Sequence, residues 1–439
     1  MSRTGSSSTI GHAPFILVFS YICISIFLFW FGPVTWPVRN SFEMAIVQAG
    51  AVAFMAIGYL SACTSSRNRR CGVDLKYAFL TGTVLTIALQ IPVTLAYTGK
   101  YPWDVVSAAL DQRATYEEML EQITSTQGTR FYVPLARSII APIFLMGIGY
   151  GLLHFKILTP FRKILLITAL FCMLDLSLLR GTDKEIADLL IILGGFLLVA
   201  YYRKRLYVSS KIRINRGIIK HWIFAAILLL AFLMFFSYRK LERLGGNMDF
   251  CMADGEICVD YSGFLISQFP DFAAFGTGII SAYLTNGYYG LSLALEQPFD
   301  WTYGIGHSSA LLTLVDRFFG DTEIFSNTYI AKISDIGWDH RYYWSTWLTW
   351  VASDVHFGGA VLLLGIFSRW MRQAWFDAVR NGNDIAAVVF VLLCMLFLYF
   401  PANNQLAQTF DLYFSFVVSL LAWKWGRIRT YLARNRGEV

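Results

Sequence analysis

Charge is scarce in this sequence. Asp, Glu, Lys and Arg make up 15% of the 439 residues, where a soluble domain carries about 25%, and that shortfall excludes a soluble globular protein. Cysteine is sparse as well: there are seven, and none is spaced with histidine as a zinc site requires. No nucleic-acid-binding motif, internal repeat or low-complexity tract stands out beyond the Ser-rich N-terminus. The missing repeat counts against a secondary transporter, a class often built from paired repeats. The first apolar run, 14–34, lacks a small-x-small cleavage site and is long enough to span, so it reads as a membrane helix and not as a signal peptide.

What is abundant is apolar surface, with 56% hydrophobic and 16% aromatic residues. A crossing helix needs roughly 20 apolar residues. Runs near that length occur at 14–34, 43–63, 77–98, 137–156, 164–180, 186–202, 221–238, 346–367, 386–401 and 406–423. The sequence therefore predicts an all-α polytopic membrane protein of about ten spans, the tight 164–202 pair also fitting a single re-entrant hairpin.

The loops between these runs alternate in charge. Residues 203–220 carry seven Lys/Arg and no acid, whereas 238–343 carry six Lys/Arg and thirteen Asp/Glu. Cytoplasmic loops retain Lys/Arg, so Arg3, Arg67, Arg69, Arg70, Lys76, Lys156, Arg162, Lys163, the 203–220 cluster, Arg369, Arg372, Arg380 and the tail bases Lys424, Arg427, Arg429, Arg434 and Arg436 are assigned to the cytoplasm. Both termini then lie inside and 238–343 is one large extracytoplasmic loop. The net charge of +7 follows from this topology and implies no nucleic-acid partner.

Two outer segments are substantial. Residues 99–136 include an amphipathic stretch, Trp103 to Ile123, that reads as a surface helix or lid. Within the long loop, 272–295 is apolar enough to touch the membrane, but a full span there would put the basic tail outside. It reads as a helical hairpin in the interface, with Gly276, Gly278, Gly287 and Gly290 permitting the breaks. Cys251 and Cys258 are the only cysteines outside together, and an oxidising compartment would allow a local disulfide between them.

Chemistry-bearing residues gather on the outer side. SLLRGTDKE at 177–185 places Arg180 and Lys184 between two spans. An Arg fork with a Lys point charge suits a diphosphate headgroup; the pair equally fits snorkelling, or pairing with Asp183 and Glu185. Asp175 and Asp188 lie at helical distance and fit as counter-ions. From 304 to 359 come His307, Arg317, Lys332, Asp335, Asp339, His340, Arg341, Asp354 and His356, interleaved with Tyr and Trp. Rings stack on sugar faces, and His or Asp accepts a proton from a hydroxyl. Trp344, Trp347 and Trp350 also fit an interfacial belt. Asp354 and His356 fall inside a span, where ionisable groups are costly and usually face a functional cavity.

Three features resemble the O-antigen polymerase family: the outer hairpin and apolar run RGTDKEIADLLIILGG (180–195), the stretch YLTNGYYGLSLAL (283–295) leading to GIGHSS, and TWLTWVASDVHFGG (346–359) opening the next span. The likeness covers roughly residues 165–370 and implies a fold like that of GT-C-type glycosyltransferases. It also implies an enzyme of the bacterial inner membrane that transfers a glycan from polyprenyl diphosphate to the sugar of an incoming lipid-linked repeat unit, building O-antigen or a similar surface polysaccharide. No metal or cofactor is implied, and a chain-length regulator is an expected partner. On this resemblance Arg180, Lys184, Arg341 and Arg317 are assigned to diphosphate, and His307, the Asp339–His340 pair and Asp354 to proton transfer. An O-antigen ligase and a polysaccharide flippase are the competing readings. The polarity is tested by Asp300→Cys, which is expected to react with a membrane-impermeant thiol reagent added outside intact spheroplasts; labelling only after lysis would invert the topology.

Overall fold

The computed structural model describes residues 7–63, 75–111, 114–115, 118, 132–207, 216–320 and 323–435. Arg3, Arg67, Arg69, Arg70, Cys71, Arg436, the middle of the 203–220 cluster and most of 112–131 lie outside them.

The chain is a mostly helical membrane protein. Its long helices are α1 (Ser7–Phe31), α2 (Ser41–Leu60), α3 (Lys76–Ala88) with α4 (Gln90–Thr98), and, after the short α5 (Val105–Leu110), α6 (Tyr132–Leu153), α7 (Pro160–Leu179), α8 (Lys184–Tyr207) and α9 (Arg216–Arg243). The long loop holds a two-strand hairpin, β1 (Cys251–Met252) and β2 (Ile257–Cys258), then α10 (Asp271–Leu295), α11 (Ser309–Phe319) and α12 (Tyr329–Asp335). The chain ends with α13 (Trp347–Arg380), α14 (Asp384–Leu398), the single turn α15 (Gln405–Gln408) and α16 (Phe410–Asn435). Among the described residues five helices are long and apolar enough to cross a membrane, or six if α3 and α4, bent by 50°, form one broken span.

Side-chain caps fix several starts: Thr159 accepts from Arg162 N, Thr346 from Thr349 N and Asn383 from Ala386 N. α14 is apolar on all sides and every residue from Ile385 to Phe397 is buried, so it is the core strut around which the others pack. α2 and α13 meet where neither has a side chain: a Cβ on Gly58 would fall 1.9 Å from the Gly365 carbonyl oxygen. Small residues of this kind let membrane helices approach closely, and the Ser368 hydroxyl adds a hydrogen bond to the Met55 carbonyl at 2.7 Å.

The bundle has two chemically distinct ends. At one, Arg372 donates to the Tyr59 and Leu60 carbonyls, Arg203 and His154 converge on Asp384, and Arg427 and Trp423 converge on Asp377. At the other, the turn after α1 joins the long loop, with Val34 bridged to Val259 and Asp260 N donating to the Pro33 carbonyl at 2.7 Å. Arg203, Arg372 and Arg427, grouped by the sequence on one face, do share an end.

The hairpin expected at 272–295 is corrected. α10 is one unbroken 25-residue helix. Both of its ends touch the loop-bearing end of the bundle: Gly276 and Gly278 sit against Ser237 and Val259, while the Ser292 carbonyl accepts from Asn40 and Gly290 sits against Trp344. It is not among the described helices that are long and apolar enough to cross a membrane. Its glycines serve close approach rather than breaks, because a Cβ on Gly287 would fall 1.9 Å from the Pro401 carbonyl oxygen. Gly287→Ala is therefore expected to destabilise the protein by about 1–3 kcal/mol, whereas Gly194→Ala, with nothing within 4 Å of its Cβ position, is expected to be neutral. Thermal midpoints of the two purified variants in one detergent check this.

Candidate functional site

α13 is broken where it carries Asp354. His356 has φ 59° and ψ 165°, so the regular helix stops before it and restarts after it. A non-glycine residue in this region costs about 1–3 kcal/mol and persists only where its surroundings over-determine it. Just before the break the Ser353 carbonyl accepts from the Thr302 hydroxyl at 2.8 Å. His356 itself is exposed, its ring edge-on to Phe299 and Phe357.

The buried Asp354 carboxylate organises residues 302–308 of the long loop. Oδ1 accepts from Gly306 N at 3.0 Å and lies within reach of the Thr302 hydroxyl. Oδ2 accepts from His307 N at 2.9 Å and from the His307 ring Nδ1 at 2.8 Å. An ionised carboxylate only accepts, so Nδ1 carries a proton, and in the neutral imidazole Nε2 is then the acceptor nitrogen. Nε2 faces the Tyr413 hydroxyl at 3.3 Å. Asn404 donates to the His307 carbonyl at 2.9 Å and the Ser308 hydroxyl to the Ala407 carbonyl at 2.8 Å, clamping the loop to the segment between α14 and α16. The result is an imidazole oriented by a carboxylate, with its basic nitrogen aimed at a replaceable hydroxyl.

Residues at the end of that segment and the start of α16, Thr409, Asp411 and Leu412, border a cavity of about 190 Å³. Arg180, Lys184 and Arg137 line it together with Glu185, Asp188 and Asp411. Arg180 pairs with Glu185, whose second oxygen accepts from the Thr182 hydroxyl at 2.8 Å. Arg137 Nε lies 2.8 Å from Asp411 Oδ2. Both guanidinium groups sit over the Tyr97 ring, at 5.9 Å for Arg137 and 5.5 Å for Arg180. The remaining walls are largely apolar, from Leu89 and Val93 through Ile140 and Phe144 to Met173 and Ile192. Asp188 accepts from the Tyr399 hydroxyl at 2.9 Å, and Asp175 accepts from the Gln90 amide at 2.7 Å rather than from a cation. Asp183 turns away to Arg239, at 3.0 Å, and to Lys240 and Arg243, each at 3.7 Å.

The structure thus brings His307 to Asp354, and Arg180 to Lys184. It does not add the other expected residues to either group. Arg341 is 71% exposed and its guanidinium grips Asp339 through two nitrogens, which holds that carboxyl below its usual range. Arg317, in the last turn of α11, does not line the cavity. His340 packs on Phe325, and its Nδ1 lies 3.0 Å from the Ser334 hydroxyl. Lys332 is bound to Asp300 and to the Pro298 carbonyl, both at 2.6 Å. Cys251 and Cys258 face each other across the hairpin and are bonded. Among the described residues no group of three or more His, Cys, Asp or Glu is placed to hold a metal ion.

Arg137, Asp411, Tyr97 and Tyr413 did not emerge from the sequence. Arg137 and Asp411 are opposite charges inside two runs read as spans, and such charges mark functional interiors; that signal was there to be used. Tyr97 and Tyr413 have none. Comparison with known proteins adds no relative: no family model, no curated protein and no solved structure matches the chain.

Burial pushes the His340 imidazole below its usual value near 6.5, outweighing the nearby Asp339 charge. Between its folded value and about 6.5 the unfolded chain then holds more protons, so the His340 contribution is complete above that window and is lost as pH falls through it. His340→Gln is expected to flatten the decline in the thermal midpoint as pH falls below about 6.5; an unchanged decline would refute this.

Proposed function

We propose that the protein is a membrane glycosyltransferase that polymerises oligosaccharide repeat units carried on polyprenyl diphosphate, making O-antigen or a similar surface polysaccharide. In this reading it has ten crossings, both termini lie in the cytoplasm, and the long loop faces the periplasm of a bacterial inner membrane. One observation carries the proposal: the segment 399–413 borders a cation-lined, apolar-walled cavity and also contacts a carboxylate-oriented imidazole. A phosphate-linked donor needs the first and a sugar-hydroxyl acceptor the second.

The acceptor hydroxyl oxygen attacks the anomeric carbon of the donor glycan. The bond from that carbon to the diphosphate oxygen breaks, and the lipid diphosphate leaves with the electron pair. Arg180 and Lys184 hold the charge that grows on it, which is where preorganised cations stabilise a transition state most. The acceptor proton passes to His307 Nε2 as the hydroxyl takes the place of Tyr413, and Asp354 stabilises the imidazolium formed. Any contact of Arg341 with a second diphosphate requires its pair with Asp339 to open first.

Purified protein incubated with one lipid-linked repeat unit is expected to give a ladder of products. Arg180→Ala should slow it about a hundred- to a thousandfold, the loss of about 3–4 kcal/mol of transition-state stabilisation. His307→Ala should slow it about a hundred- to ten-thousandfold. Normally expressed variants that still build full-length polymer at the wild-type rate would remove these assignments, and no ladder from the active wild-type preparation would remove the polymerase reading.

A further inference from the structure

We infer that Asp411 is an internal stand-in for a phosphate: it holds Arg137 while the cavity is empty and yields that guanidinium to the phosphate head of an isoprenoid lipid. The inference rests on reading the cavity as the donor-lipid site, and it concerns what that site does before the lipid arrives.

Three bases and three acids line the cavity, Arg137, Arg180 and Lys184 against Glu185, Asp188 and Asp411, so its formal charge is zero. Three uncompensated cations between helices would be costly, because desolvated charges need partners. An anionic ligand must therefore replace an acid already present. The three acids are not held alike. Glu185 has the Thr182 hydroxyl at 2.8 Å besides Arg180, and Asp188 has the Tyr399 hydroxyl at 2.9 Å. Asp411 has, among the described residues, no hydrogen-bond donor besides Arg137.

Asp411 is thus the acid most easily exchanged. It sits in the first turn of α16, where a carboxylate is favoured with or without Arg137. The released Arg137 fork would lie, like that of Arg180, beside the Tyr97 ring. Arg180 Nε is a buried donor with no acceptor among the described residues, so one bond is available before any pair opens. Two forks beside one ring match a phosphate or two adjoining phosphates, and the apolar walls match a hydrocarbon tail. The ligand class is a phosphate or diphosphate ester of a long isoprenoid alcohol.

The test is equilibrium binding of undecaprenyl diphosphate to the full-length protein in nanodiscs, followed by native mass spectrometry. Asp411→Asn frees Arg137 and is expected to bind about tenfold tighter, equivalent to about 1.4 kcal/mol. Arg137→Gln is expected to bind at least about tenfold weaker. Should the single Asn variant fold poorly, the double variant Arg137→Gln/Asp411→Asn buries no lone charge and is still expected to bind more weakly than wild type. Unchanged or weaker binding by a folded Asp411→Asn protein overturns the stand-in role, as does wild-type affinity in the double variant. Inorganic diphosphate or phosphatidylglycerol bound as tightly as the prenyl lipid overturns the ligand class. A binding pattern as expected without any product ladder sinks the polymerase reading and leaves this inference standing; a ladder made by an Asp411→Asn protein with no gain in affinity does the reverse.

Discussion

A carboxylate taken out of water must be saturated with donors, and the loop-bearing end of this protein is arranged around one such group. Asp354 collects two backbone N–H groups and the His307 ring, with the Thr302 hydroxyl in reach. Left unpaired it would change protonation state or unfold its surroundings, since an isolated buried charge is prohibitively expensive. Satisfying it requires a loop 47 residues away in sequence to fold back onto α13. It also accompanies a broken helix at His356, whose positive φ is tolerated because the network on either side fixes the chain. The orientation of the His307 imidazole is a product of that constraint, with the ring set by the same carboxylate that holds its backbone.

The second organising feature is irregular backbone where a membrane helix might have continued. Between α14 and α16 the chain runs through Asn403, Asn404 and Gln405, all buried. Asn403 adopts φ 64°, and its side-chain oxygen accepts from Ser345 N and the Trp350 indole. Non-helical backbone at such depth is tolerated where protein satisfies it or a cavity borders it. Here both hold: polar side chains bind the backbone, Tyr399 donates to Asp188 and Asp411 pairs with Arg137 at the cavity, and Asn404 and Tyr413 face His307.

Much of the helical bundle was legible in the sequence because hydropathy and loop charge are summed over many residues, and errors at single positions average out. Asp354 was legible as costly in its place, and Arg180 and Lys184 as a pair, because their chemistry is local. What was not legible depends on partners distant in sequence. Gly276, Gly278, Gly287 and Gly290 look identical whether they let a helix break or let another chain come close, and only packing against Ser237, Val259 and Pro401 decides. Arg137 and Asp411 each look like a charge at the edge of a span until α6 and α16 are seen side by side. Arg341 looked like a free cation, although the carboxylate two residues earlier occupies it.

The shortness of α14 sets a depth. Its 15 residues rise only about 22 Å at about 1.5 Å each, against roughly 30 Å of hydrocarbon. A lipid-facing helix so short would thin the bilayer around it, but α14 meets only protein and is released from that match. The polar turn of Asn403, Asn404 and Gln405 thus follows a helix several ångströms shorter than the hydrocarbon layer, and its backbone is satisfied by protein side chains rather than by further helix.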